Sequence, residues 1–71
     1  MTTLTITAWK TGLQVISLTE AVRQYSTRSL VRAKAEVERL LAGEAVTLEF
    51  DSESDRNEFQ KKAEAFGAIF D

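Results

Sequence analysis

Side chains that could bind a metal ion alternate along one short acidic stretch. Positions 51, 53, 55 and 57 carry Asp, Glu, Asp and Asn, the alternation seen in the first ligands of an EF-hand calcium loop. Such a loop also needs glycine at its sixth place and glutamate at its twelfth, where this chain has Arg56 and Lys62. We therefore interpret the stretch as the acidic start of a helix, and we expect neither a metal ion nor another cofactor.

Side chains for nucleophilic or general-base catalysis lack the partners that such chemistry requires. The 71-residue chain contains neither cysteine nor histidine, so the serines at positions 17, 29, 52 and 54 have no imidazole to activate them. Its three glycines are isolated from one another and do not form a phosphate-binding loop. The composition therefore favours a domain that binds a partner over an enzyme.

Basic side chains are the remaining functional feature, and they are concentrated in the first half of the chain. Residues 1–40 carry six basic and three acidic side chains, a net charge of +3. Residues 41–71 carry three basic and eight acidic side chains, a net charge of −5. If the two halves stay separate in space, the basic half would attract an acidic partner.

Two consecutive amphipathic helices and a third near the C-terminus must position these basic residues. In each segment apolar residues recur with the spacing of one helix face. The predicted buried faces are Leu18, Ala21, Val22 and Tyr25 in the first helix, Leu30, Ala33, Val37, Leu40 and Leu41 in the second, and Phe59, Ala63 and Phe66 in the third. Ser17 and Glu20 form a capping box, which predicts that the first helix starts at Ser17. Ser29 is the predicted cap of the second helix, which Gly43 ends.

Strands are predicted where apolar and polar residues alternate. Residues 3–9 alternate threonine with Leu4, Ile6 and Ala8, residues 46–50 alternate in the same way, and residues 68–70 can form a short last strand. The order β-α-α-β-α-β predicts a single α+β domain over residues 1–71. In this domain, three helices cover one face of a three-stranded, mainly antiparallel sheet. The first strand is expected to lie between the other two.

Basic residues of the second predicted helix lie opposite its buried face. The residues of this outward side are Arg28, Arg32 and Arg39, with Arg23 and Lys34 at its border. Such a face suits either an acidic protein surface or the phosphates of a nucleic acid. The negative net charge of the chain and Glu36, which interrupts the basic row, favour a protein partner. Nucleic-acid binding by the same face is the alternative.

Short motifs spread along the chain resemble the C-terminal domain of the bacterial ribosomal stalk protein. They are Ala21-Val22-Arg23, Ser29-Leu30-x-x-Ala33-Lys34 and Phe66-Gly67-Ala68. The resemblance covers nearly the whole chain and implies a β-α-α-β-α-β fold whose first two helices grip translational GTPases. It also implies that Arg23, Leu30 and Lys34 stand at matching surface positions. Ser29 replaces the glycine of the family.

The predicted function is that of a non-catalytic protein-interaction domain, which contacts a translation factor or another acidic protein through its helical hairpin. The predicted contact residues are Arg23, Arg28, Ser29, Leu30, Val31, Arg32 and Lys34. Leu30 could instead be a core residue, since it also begins the buried face of the second helix. Because the sequence shows neither a signal peptide nor a membrane span, we expect a cytoplasmic location; the oligomeric state stays open.

Overall fold

The elements of the chain follow one another in the order β-α-α-β-α-β, as predicted from the sequence. A computed structural model describes residues 2–27 and 29–70. Its elements are β1 (Thr2–Trp9), α1 (Val15–Tyr25), α2 (Leu30–Leu41), β2 (Val46–Phe50), α3 (Glu53–Phe66) and β3 (Ala68–Phe70). The predicted α+β class is confirmed. Within the described ranges, none of the helices combines the length and hydropathy needed to cross a membrane.

The first strand lies at the centre of the sheet, as predicted from the order of the elements. The strand order is β2-β1-β3, and both pairings are antiparallel. β2 pairs with residues 2–6 of β1, whereas β3 pairs with residues 6–9. An irregularity between Ile6 and Ala8 shifts the pairing with β3, and Ala8 is exposed. The predicted burial of Ala8 is therefore wrong, because a bulge breaks the period-two alternation of the strand.

The hydrophobic core lies between one face of the sheet and the helices. Helices α2 and α3 contact the strands, and α1 packs against both of these helices. The buried apolar residues are Leu4, Ile6, Leu18, Ala21, Val22, Ala33, Val37, Leu40, Val46, Leu48, Phe50, Phe59, Ala63 and Ala68. Leu41, which was predicted to be buried, is 37% exposed, and Leu30, whose burial the sequence left open, is 40% exposed. Both lie at the edge of the buried face of α2, where the core no longer covers them.

The serine cap predicted for α2 is confirmed, and a serine caps the acidic start of α3 in the same way. The Ser29 side chain accepts a hydrogen bond from the backbone N–H of Arg32 at 3.4 Å, and Ser52 accepts one from Asp55 at 3.1 Å. Each bond satisfies one N–H group that the first turn of a helix leaves unpaired. At its other end, α3 stops at Gly67, whose backbone is left-handed.

The start of α1 differs from the prediction. The helix begins at Val15, two positions before Ser17, and its N-cap residue Gln14 makes no side-chain capping bond. The expected capping box of Ser17 and Glu20 is therefore wrong. The Gln14 backbone N–H instead donates to the carbonyl of Phe66 at 2.9 Å. A contact with the end of α3 thus sets where α1 begins, and the local sequence does not contain this information.

Trp9 lies at the end of β1 and joins the sheet to the end of α2. It is 39% exposed, and its indole N–H donates to the carbonyl of Leu40 at 3.0 Å. The last carbonyl groups of a helix have no partner within the helix, so this bond helps to satisfy the C-terminus of α2. In the alternation of β1, Trp9 is out of phase with the buried residues Leu4 and Ile6. Its partial exposure at the edge of the core agrees with that position.

Candidate interaction groove

An open groove of about 580 Å³ runs between α1 and α2. The residues that line it are Val15, Ile16, Thr19 and Glu20 of α1 and Leu30, Lys34, Val37 and Glu38 of α2. We call this feature the hairpin groove. Its α2 wall consists of residues spaced at i, i+4, i+7 and i+8, which lie on one side of a helix. The groove is therefore a direct product of packing two amphipathic helices side by side.

Apolar side chains that the core does not cover surround the hairpin groove. Ile16 is 80% exposed, Leu30 40% and Val15 37%, whereas Val37 at the base of the groove is 3% exposed. Single exposed apolar residues are common on protein surfaces, but several that meet at one concavity are typical of a binding site. The arrangement can bind an apolar side chain of another molecule by removing these surfaces from water.

Charged side chains stand at the rim of the hairpin groove. Glu20 on α1 forms an ion pair with Arg23 at 3.5 Å, and both side chains are more than half exposed. On α2, Lys34 and Glu38 lie one turn apart, and neither makes an ion pair within the described part of the chain. Glu20 pairs with Arg23 and not with Lys34. The Lys34 ammonium can therefore bind a carboxylate of a partner.

The predicted contact residues do not all reach this groove. Leu30 and Lys34 line it, and Val31, which is 77% exposed, lies just outside it on the same ridge of α2 as Lys34. Arg32 is exposed, but successive residues of a helix turn by about 100°, so Arg32 points roughly 160° away from Lys34. Ser29 serves as the cap of α2.

A further arginine from the predicted basic face, Arg39, is already paired. Arg39 forms ion pairs with Glu36 at 3.7 Å and with Glu44 at 3.5 Å, so nearby carboxylates balance its charge. Arg28 was also predicted to contact a partner, but it lies outside the described residues. Arg32 and Arg39 lie seven residues apart on one side of α2, whereas Lys34 lies on nearly the opposite side and Arg23 lies on α1. The described cations therefore do not form the one continuous surface expected from the sequence.

Sequence reasoning missed the α1 wall of the groove. Val15 and Ile16 precede the predicted helix start at Ser17, although they are the first two residues of α1. The available signal was an excess of apolar residues, since Leu18, Ala21 and Val22 already complete a buried face. Two additional large aliphatic residues beside a complete buried helix face indicate an exposed surface that can bind a partner.

Comparison with known proteins adds no relative of this chain. No protein-family model matches it, and no match is found among curated proteins or among solved structures. The resemblance to the C-terminal domain of the ribosomal stalk protein therefore stays a prediction.

Within residues 2–27 and 29–70, no group of three or more acidic side chains is close enough together to hold a metal ion.

Proposed function

We propose that the chain is a non-catalytic protein-interaction domain that binds its partner in the hairpin groove. The observation that carries this proposal is the meeting of exposed Ile16, Leu30 and Val15 at one open concavity. Interfaces of this kind gain most of their affinity from a few apolar anchors that are fully removed from water. The partner therefore supplies an apolar side chain that enters the groove between α1 and α2.

One charge at the rim, the Lys34 ammonium, supports an acidic group beside that apolar side chain. Lys34 stands next to Leu30 in the groove wall and has no ion pair within the described residues. A carboxylate of the partner placed against Lys34 would raise the association rate and fix the orientation of the bound segment. The proposed partner is thus an acidic protein surface with at least one protruding apolar residue.

The resemblance to the ribosomal stalk domain supports translational GTPases as the first partners to test. It places Arg23, Leu30 and Lys34 at matching positions, and two of these three residues line the groove. A cytoplasmic location belongs to the same proposal. Binding of nucleic acid is less well supported, because Arg23 and Arg39 are ion-paired and Arg32 points away from Lys34.

A capture experiment with the tagged chain tests the partner class. Extracts are passed over the chain with and without nuclease treatment, and the retained proteins are compared. Proteins that are retained after nuclease treatment support the proposal. Retention that nuclease abolishes would instead favour nucleic acid. A purified translational GTPase is then titrated into the isotope-labelled chain, and the expected backbone shifts lie on both walls of the groove.

Matched variants locate the interface. Lys34→Glu and Arg32→Glu make the same charge change at exposed positions of α2, on nearly opposite sides of the helix. Lys34→Glu is expected to weaken binding by about tenfold or more, and Arg32→Glu by little, because rim contacts outside the anchor contribute weakly. Equal losses for both variants, or none for Lys34→Glu, would reject the groove as the site.

A second matched pair tests the apolar anchor. Ile16→Ala removes apolar surface at the groove, and Ile69→Ala makes the same change on β3, where the side chain is 37% exposed. We expect Ile16→Ala to weaken partner binding at least about fivefold, since truncated hot spots typically cost more than ~1 kcal/mol. Ile69→Ala is expected to bind like the unmodified chain. The opposite ranking would place the contact on the sheet.

A further inference from the structure

A row of exposed residues runs the length of α2 beside the hairpin groove. Its members are Val31, Lys34, Glu38 and Leu41, and we call them the outer stripe. Val31 is 77% exposed and Leu41 37%, and none of the four belongs to the face of α2 that the core buries. They recur at intervals of three, four and three residues, the spacing with which one helix packs along another in a coiled coil. This spacing therefore suits a helix from outside the domain.

The two charges of the outer stripe suit a copy of the same helix. Lys34 and Glu38 lie one turn apart, yet neither makes an ion pair within the described part of the chain. A lysine on the N-terminal side of a glutamate is the less favourable order of such a pair within one helix. Against an antiparallel copy of α2, each lysine instead faces the glutamate of the other copy. Two ion pairs thus become available between copies.

The apolar ends of the outer stripe follow the same symmetry. A two-fold axis midway between Lys34 and Glu38 is also midway between Val31 and Leu41. Antiparallel pairing about that axis places Val31 of each copy against Leu41 of the other, which removes both side chains from water. The outer stripe is therefore complementary to itself in charge and in apolar surface, as the interface of a two-fold symmetric dimer requires.

Helix α1 adds an apolar side chain beside the axis. Ile16 is 80% exposed, and it lines the hairpin groove together with Lys34 and Glu38, the two residues that flank the axis. A helix of a second copy that lies on the outer stripe therefore also lies against Ile16. The contact surface thus extends from one helix to both helices of the hairpin, and each copy contributes the same side chains.

We propose that a second copy of the chain binds along the outer stripe, with α2 antiparallel to its counterpart. The contacts of Lys34 with Glu38 and of Val31 with Leu41 then each form twice. Because each copy contributes about three turns of α2 and a side chain of α1, the interface is small, and a weak, reversible dimer is expected. The dimer covers Lys34 and so competes with the acidic partner; this competition, unlike the pairing itself, rests on the proposed function.

Reversing the two charges in separate copies tests the pairing without any partner. Lys34→Glu places four carboxylates around the axis, and Glu38→Lys places four ammonium groups there. Each variant alone is expected to self-associate about tenfold more weakly than the unmodified chain, since two attractive ion pairs become repulsive. An equimolar mixture of the two variants restores both ion pairs and is expected to associate at least as tightly as the unmodified chain.

Sedimentation equilibrium measures the association of each variant, of the mixture and of the unmodified chain. Lysine and glutamate are both good helix formers, so α2 is expected to remain intact, and circular dichroism checks the fold. The matched control is a mixture of Glu58→Lys and Lys62→Glu, which make the same charge changes at exposed positions four residues apart on α3. This control mixture is expected to associate no more tightly than the unmodified chain.

The mixture of the α2 variants decides the outcome. If it associates no more tightly than its separate variants, or no more tightly than the control mixture, the pairing along the outer stripe is wrong. Capture of a partner by the unmodified chain is measured independently, so a failed pairing leaves the proposed function standing. Conversely, a chain that pairs with itself but captures no partner would support this inference and reject the proposed function.

Cysteine cross-linking tests the orientation, and the chain itself contributes no cysteine. Copies with Val31→Cys are mixed with copies with Leu41→Cys. In the antiparallel dimer these two cysteines face each other, whereas two cysteines at position 31 lie about 15 Å apart along the helices. A disulfide spans Cα atoms up to about 7 Å apart. The mixed disulfide is therefore expected to form faster than either symmetric one, and disulfides in statistical proportions would refute the antiparallel pairing.

Discussion

Replacing Gly67 with alanine is expected to destabilise the domain more than the same change at Gly43. Both glycines follow the end of a helix, with φ of +109° and +95°. A side chain in this left-handed region costs about 1–2 kcal/mol, because its Cβ approaches the following carbonyl oxygen. Both variants incur that cost, so any difference between them must come from the surroundings.

The surroundings differ because Leu13 packs against Gly67. A Cβ at position 67 would lie 3.3 Å from the Leu13 Cα, whereas nothing lies within 4 Å of one at position 43. Leu13 has little room to retreat, since the loop around it is tied to the end of α3 by two backbone bonds. These run from Lys10 N–H to the Gly67 carbonyl at 2.8 Å and from Gln14 N–H to the Phe66 carbonyl at 2.9 Å. Overpacking of this kind adds about 1 kcal/mol or more.

Thermal unfolding followed by Trp9 fluorescence and circular dichroism measures the difference. One kcal/mol corresponds to about 4–8 °C in a domain of this size, so Gly67→Ala is expected to melt at least ~4 °C below Gly43→Ala. Equal melting temperatures would refute the reasoning, because they would show that the loop around Leu13 moves without cost. A Gly43→Ala variant that melts lower would contradict it more strongly.

Three further substitutions test local interactions by urea unfolding. Ser52→Ala removes the cap of α3 and is expected to lower the free energy of unfolding by about 1 kcal/mol; no loss would mean that the bond from Asp55 is not formed in solution. Ser17→Ala is expected to change stability by less than ~0.5 kcal/mol, because Ser17 lies inside α1, and a larger loss would reinstate the predicted capping box. Trp9→Phe is expected to cost about 0.5–1.5 kcal/mol through the lost bond to the Leu40 carbonyl, and a neutral result would show that water replaces it.

The candidate site was only partly predictable from the sequence. Leu30 and Lys34 were expected to contact a partner and do line the hairpin groove. Val15 and Ile16 were missed, because the start of α1 depends on the bond from Gln14 to Phe66, two residues far apart along the chain. Lys34 was placed at the border of the outward side that carries Arg32, although helix geometry turns the two side chains roughly 160° apart.

The order of elements and the caps of α2 and α3 follow from local information. Periodicity and capping depend on residues within a turn or two of one another, so the 71 residues contain those answers directly. The start of α1, the bulge at Ala8 and the exposure of Leu30 were decided by packing. Each depends on which distant element lies alongside, and that choice exists only once helices and strands have assembled around one core.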